Sequence, residues 1–230
     1  MVLVSVAFLL TLASAFRPLR VHADDEHDGR ATDRGRKMIG GSLGAAWSND
    51  SSDVPWPSFR TWDVYLAPDL TYFVRDGVGI GGYVGGSYGY EHSPSGAFEY
   101  AVRDVQTSFG LSALFELPLG THTSLLAITR AGYGRRWVRL VDSEYEGDVN
   151  APGRNIRENQ TLLAFKEAIE YDTHTLRAAL ILPFAFHLSD AVLLGLGPDA
   201  WVEQLFGQSA RNTPRTLFSV GVSSWLGYSF

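Results

Sequence analysis

The sequence predicts an all-β protein: a closed, eight-stranded antiparallel up-and-down barrel that crosses a membrane with its strands. Three observations predict it. Long stretches alternate apolar residues with small or polar ones at a period of two, the signature of strands with two unlike faces. One of those faces is free of charge, and the connections between stretches alternate between short turns and long loops, as in outer-membrane barrels. Composition agrees: 24 glycines, 13% aromatic residues and a mean hydropathy of −0.03 over 230 residues suit short patterned strands and are too polar for a bundle of membrane helices.

The strands are expected at Met38 to Trp47, Thr61 to Arg75, Val78 to Tyr90, Val105 to Leu117, Thr123 to Val138, Thr175 to Phe186, Ala191 to Glu203 and Thr216 to Phe230. Val78 to Tyr90 shows the alternation: Val78, Ile80, Gly82, Val84, Gly86, Tyr88 and Tyr90 share one face, while Gly79, Gly81, Tyr83, Gly85, Ser87 and Gly89 lie on the other. Asp76-Gly77, Gly120-Thr121-His122 and Ser189-Asp190 read as tight turns, and Ser48 to Arg60, Glu91 to Asp104, Leu140 to His174 and Phe206 to Arg215 as the long connections. DGVGIG (Asp76 to Gly81) and DAVLLG (Asp190 to Gly195) each follow an aromatic-bearing strand that contains a proline, Pro68 or Pro183, and mark equivalent turns.

Alternation alone also fits a soluble ligand-binding barrel with an apolar interior. Charge density separates the two. A water-facing surface carries roughly 25–35% charged residues, whereas the polar faces here are mostly Gly, Ser, Thr, Ala and Tyr with isolated charges at Asp63, Asp69, Arg75, Glu116, Arg130, Arg177, Asp199 and Glu203. Those faces suit a crowded lumen. The opposite faces, Trp62-Val64-Leu66-Pro68-Leu70-Tyr72-Val74 and Leu176-Ala178-Leu180-Leu182-Phe184-Phe186, contain no charge, as hydrocarbon demands. Glu116 and Arg130 flank the turn at Gly120 and are expected to point inward as a lumenal ion pair.

The apolar run VLVSVAFLLTLA near the start has the length of a signal-peptide core, so residues 1–23 read as signal peptide and leader, with cleavage after Ala15 or Ala23, and 24–36 as a polar, solvated segment. The barrel then spans 37–230. Without cysteine there is neither a disulfide nor a thiolate metal site. The net charge of −6 and the lack of a basic patch argue against nucleic acid.

The hairpin TWDVYLAPDLTYFVRDGVGIGGYVGGSYGY (Thr61 to Tyr90) resembles that of the small outer-membrane β-barrel, porin-like family of Gram-negative bacteria, on Pro68, Tyr72, Phe73, Asp76 and Gly81. Tyr228-Ser229-Phe230 is similar to that family's assembly signal. The resemblance implies export to the outer membrane, insertion by the barrel-insertion machinery reading Tyr228 and Phe230, contact with outer-membrane lipid and lipopolysaccharide, and a monomer with an envelope-structural or surface-interaction role or narrow diffusion. No cofactor and no catalysis are expected.

Candidate chemistry is thin. Asp142, Glu144, Glu146 and Asp148 are spaced like the start of a calcium loop, but Gly153 stands where the bidentate Glu belongs. His92 and His174 lie near the long-loop side, where a lipid A-modifying acyl enzyme would act. No spacing motif joins them to Ser93 or Ser95. His187 lies on the turn side and is a poorer candidate still.

Overall fold

Alternation is realised as nine strand segments in a computed structural model that describes residues 30–50, 60–95, 98–145, 170–206 and 215–230, with side chains described at 30–47, 63–90, 101–141, 170, 172–206 and 216–230. The segments are β1 (Lys37–Asp50), β2 (Arg60–Arg75), β3 (Val78–Ser95), β4 (Phe98–Pro118), β5 (Thr123–Tyr145), β6 (Tyr171–Ile181), β7 (Phe184–His187), β8 (Val192–Phe206) and β9 (Arg215–Ser229). Every pairing is antiparallel: β1 to β6 pair in chain order, β7 pairs β5 and β8, β6 also pairs β8, β8 pairs β9, and β1 pairs β9. Phe230 and Lys37 exchange backbone hydrogen bonds of 2.8 and 3.0 Å at that seam. The sheet is therefore sealed, with no edge left to satisfy.

Nine segments make a ring of eight because β6 and β7 are one strand interrupted at Leu182-Pro183. Both pair with β5 on one side and β8 on the other, and the register carries through the break unchanged. Pro183 has no N–H to donate. Its carbonyl still accepts from Leu126 N at 2.9 Å, and Leu182 N still donates to Pro198 O at 2.9 Å. Pro68 leaves a similar gap in the β2–β3 ladder between Leu66↔Gly86 and Asp69↔Tyr83, again without a shift.

The turn side is tight, as expected. Gly77 adopts φ +69°, the left-handed region that glycine enters without strain. A register shift between Phe73 and Arg75 closes the hairpin with a bulge, and this turns Arg75 out to solvent. The expectation that Arg75 faces the lumen is thereby corrected.

On the other side the strands run further than the alternation suggested. The expected loop Glu91 to Asp104 is paired strand up to Ser95↔Phe98, and β5 reaches Tyr145, well into the expected connection from Leu140. β4 and β5 have 21 and 23 residues, against the roughly 9–11 that a tilted strand needs to cross a bilayer. Beyond hydrocarbon the backbone ladder can continue although neither face must be apolar, so the period fades while the pairing persists.

Residues 1–23, and 24–29 of the polar segment, lie outside the described residues. Residues 30–36 are not a solvated leader: Ala31 and Thr32 are buried, and the segment folds across the tight-turn mouth of the barrel. Gly35 N donates to Phe73 O at 2.8 Å, Gly77 N to Thr32 O at 3.0 Å, Arg34 N to Asp76 Oδ1 at 2.8 Å and Arg36 Nη1 to Asp190 O at 3.0 Å. Short polar residues succeed here because the turns offer backbone partners that the chain composition does not reveal.

Candidate functional site: the filled lumen and the outer rim

The two faces of the strands point as the charge pattern requires. Val64, Leu66 and Leu70 are 58, 57 and 55% exposed, and Val84, Leu111, Leu196, Val222 and Leu226 face outward with them. Tyr72, Phe184, Phe186, Tyr228 and Phe230 form outward aromatics nearer the turns, with Tyr228 and Phe230 stacked 6.5 Å apart. In the family hairpin, Pro68 and Tyr72 face out, Phe73 is buried in the lumen, Asp76 lies at the turn and Gly81 packs on the Leu70 backbone.

The lumen is filled in storeys. At the turn side, the Glu116 carboxylate accepts from Thr32 Oγ1, Ser124 Oγ and, at 2.8 Å, His187 Nε2. Above it lies an apolar layer of Met38, Phe73, Leu114, Leu126, Ile128, Ile181, Leu193 and Trp225, each 0–2% exposed. This layer was not foreseen from the Gly- and Ser-rich lumenal faces. Its signal was in the sequence, since each of these residues has the inward parity of its strand.

The middle storey joins distant strands. Arg130 Nη2 pairs with Asp69 Oδ2 at 2.7 Å, its Nη1 donates to Ser42 Oγ at 2.7 Å, and its guanidinium lies 5.3 Å from the Tyr83 ring centroid. Tyr65 OH and Trp201 Nε1 both donate to Asp199, at 2.6 and 3.1 Å. Nearest the long-loop side, Arg136 bridges Asp104 and Glu203, the latter at 3.0 Å. Arg177 donates to Gln106 Oε1 at 3.1 Å and stacks 3.7 Å from the Trp201 centroid. Gln106 in turn donates to Glu203. Sequence reasoning missed Asp104, Gln106 and Arg136. Asp104 was lost inside an expected loop, while Arg136 shares the inward parity of Arg130 and was legible.

Glu116 and Arg130 both face inward, but the structure does not bring them together. The β4–β5 register sets Glu116 opposite Leu126 and Arg130 opposite Ser112, four residues further along, so each takes a different partner. The expected lumenal pair is replaced by Arg130–Asp69 and by the Glu116 cluster.

Ser124, His187 and Glu116 meet, yet not as a nucleophile and its relay. Both the Ser124 hydroxyl, at 2.9 Å, and the Glu116 carboxylate contact the same ring nitrogen, His187 Nε2. A triad needs the acid on the other nitrogen. His174 faces outward, where Nδ1 pairs with Tyr133 OH and the rings stack at 5.6 Å. The His92, Ser93 and Ser95 side chains lie outside the described residues, as do the Asp142 and Glu144 side chains and all of Glu146 and Asp148. Among the described residues no group of three or more His, Asp or Glu side chains is placed to hold a metal.

Beyond the apolar band, on the long-loop side, charges appear on the outward face of β4, β5 and β6: Arg103, Arg135, Arg139 and Asp172. Arg135 holds Asp172 through two bonds, Nε to Oδ1 at 2.8 Å and Nη2 to Oδ2 at 2.6 Å, and so keeps that carboxyl below its usual range.

A sealed ring of eight strands, apolar outside and packed inside, defines the fold of small outer-membrane β-barrels. Among solved structures, the chain is similar to Neisserial surface protein A, at 12% identity over 86% of this chain and 100% of that one, with a TM-score of 0.49. It is similar also to Ail, the attachment invasion locus protein of Yersinia pestis (14%, 86% and 99%, TM-score 0.42), and to the outer membrane protein OprG from Pseudomonas aeruginosa (14%, 87% and 99%, TM-score 0.40). No family model matches the sequence, and a search of curated proteins finds no match. The likeness is one of fold and carries nothing about role.

Proposed function

We propose that the protein is an integral outer-membrane barrel with a closed lumen, whose role is envelope structure or surface interaction rather than diffusion or catalysis. The filled lumen carries this reading. Asp104, Gln106, Arg136 and Glu203 at one end, Arg130 in the middle and Trp225 below are all at most 7% exposed, so water does not line a path through the ring. Eight strands leave an interior just wide enough for side chains to fill. Residues 30–36 add a second closure at the turn-side mouth.

The outward aliphatic faces support a membrane location over a soluble barrel, since large contiguous apolar surface facing water drives association. Outward Tyr228 and Phe230 are accessible for reading by insertion machinery. Against catalysis stands the doubly occupied His187 Nε2. Fractionation tests the location, with the heat-modifiable folded form expected in the outer membrane and recovery in the soluble periplasm overturning it. Planar bilayers test the lumen: folded protein is expected to give no conductance steps, and stepwise ion current would overturn the closed-barrel reading.

A further inference from the structure

Eight strands meet the turn-side mouth as four pairs. Three are tied by tight turns: β2–β3 at Asp76-Gly77, β4–β5 at Gly120-Thr121-His122 and β7–β8 at Ser189-Asp190. The fourth, β1–β9, joins the first strand of the ring to the last, so no turn connects it. Its pairing reaches Met38↔Ser229, and Lys37 and Phe230 add the two backbone bonds of the seam. Proteins open locally where few contacts constrain the backbone, so this corner is where the ring would begin to unzip.

Residues 30–36 enter β1 at this corner, and Arg36 is fastened on both sides of it. Its carbonyl accepts from Phe73 N of β2 at 3.0 Å, while its guanidinium Nη1 donates at 3.0 Å to Asp190 O, in the turn before β8. Next to Asp190, Ala191 O accepts from Ser229 N of β9 at 2.7 Å. In the ring order β2, β1, β9, β8, Arg36 thus ties the start of β1 to the strands that flank the seam. Further back, Gly35 N donates to Phe73 O at 2.8 Å, Thr32 O accepts from Gly77 N at 3.0 Å and Thr32 Oγ1 donates to Glu116.

We propose that residues 30–36 are a seam lock: they dock once the ring has closed and hold β1 against β9, standing in for the turn that this pair lacks. The timing follows from the partners. Thr32 and Glu116 are 84 positions apart, and Arg36 and Asp190 are 154 apart. Contacts so distant form only after the ring has brought three turns to one mouth, because closing such loops costs entropy that a few bonds do not offset. Interactions absent from the folding transition state slow unfolding and leave the folding rate unchanged. The lock is therefore kinetic, and it rests on the barrel fold alone, beyond any role in the envelope.

The test uses the full chain in lipid vesicles, with insertion and urea-driven unfolding followed in time by gel mobility without boiling. Gly35 has φ +87° and open space around it, so Gly35→Ala strains the strap without a clash, and Arg36→Gln removes the guanidinium bridge to Asp190. G35A/R36Q is expected to unfold about tenfold faster than the parent, the scale of one strained left-handed residue and one lost hydrogen bond. Its insertion rate is expected to stay unchanged. The sequence has no cysteine, so an engineered disulfide is unambiguous. Ala45→Cys with Val222→Cys bridges directly opposed seam residues and is expected to restore slow unfolding in G35A/R36Q. Val84→Cys with Phe109→Cys, opposed on β3 and β4, is expected to leave unfolding fast. Parent-like unfolding in G35A/R36Q, slower insertion in place of faster unfolding, or equal rescue by both disulfides would overturn the lock. A parent that never gives a heat-modifiable folded band would overturn the barrel reading itself, and the lock with it.

Discussion

Arg130 on β5 reaches across the lumen to Asp69 on β2, with Nη2 2.7 Å from Oδ2 and both side chains shut off from solvent. The strands are not neighbours in the ring, so this contact ties opposite walls together. Asp69→Leu leaves a buried guanidinium uncompensated and is expected to cost about 3–5 kcal/mol. Replacing both partners, with Arg130→Met beside Asp69→Leu, is expected to restore most of that loss. Urea unfolding in lipid vesicles, read by gel mobility without boiling, measures both. Equal loss in the single and double variants would show that the pair is not the stabilising unit.

Leu70 and Leu111 face outward near mid-band, at 55 and 75% exposure. Arginine at either position is expected to cost about 2–4 kcal/mol of folding in a bilayer, the price of a charge at the hydrocarbon midplane. Folding yield into vesicles should fall accordingly. An unchanged yield for both variants would mean that these faces do not meet lipid.

Glu116 gathers donors from Thr32, Ser124 and His187, and Thr32 belongs to the segment that crosses the mouth. Glu116→Ala is expected to release residues 30–36 while the ring stays closed. Trypsin should then cut after Arg34 or Arg36 several-fold faster than in the parent, with the folded gel band retained. Unchanged cleavage would place the hold of this segment in its backbone bonds to Phe73 and Gly77 instead.

Two glycines separate inward crowding from outward space. A Cβ on Gly132 would come 2.4 Å from Phe109 O and 2.5 Å from the Tyr83 hydroxyl, whereas on Gly82 the nearest atom is 3.4 Å away. Gly132→Ala is expected to destabilise the barrel by about 1–3 kcal/mol, the range of overpacking, and Gly82→Ala to leave it nearly unchanged. Parallel urea midpoints check the contrast.

Much of this protein follows from the period of two. Once Val64, Leu66 and Leu70 share a parity free of charge, their side chains can only face hydrocarbon, and a sheet in hydrocarbon must close. Strand order, the tight turns at Asp76-Gly77 and Ser189-Asp190, and the inward parity of Glu116 and Arg130 were legible by the same rule. The strand extensions past Tyr90 and Val138 were not, because outside the bilayer no solvent contrast imposes a pattern on a ladder held by backbone bonds.

Partnership inside the ring is a different kind of fact. Glu116 and Arg130 are close in sequence and flank one turn, yet Arg130 pairs with Asp69, 61 positions away. Local order along the chain sets parity, which depends only on the alternation of successive residues. Who meets whom across the lumen depends on strand tilt, stagger and diameter, which belong to the closed ring as a whole. Only there do Met38, Phe73 and Trp225 become one apolar seal, and only there do Arg103 and Arg139 face each other at the rim.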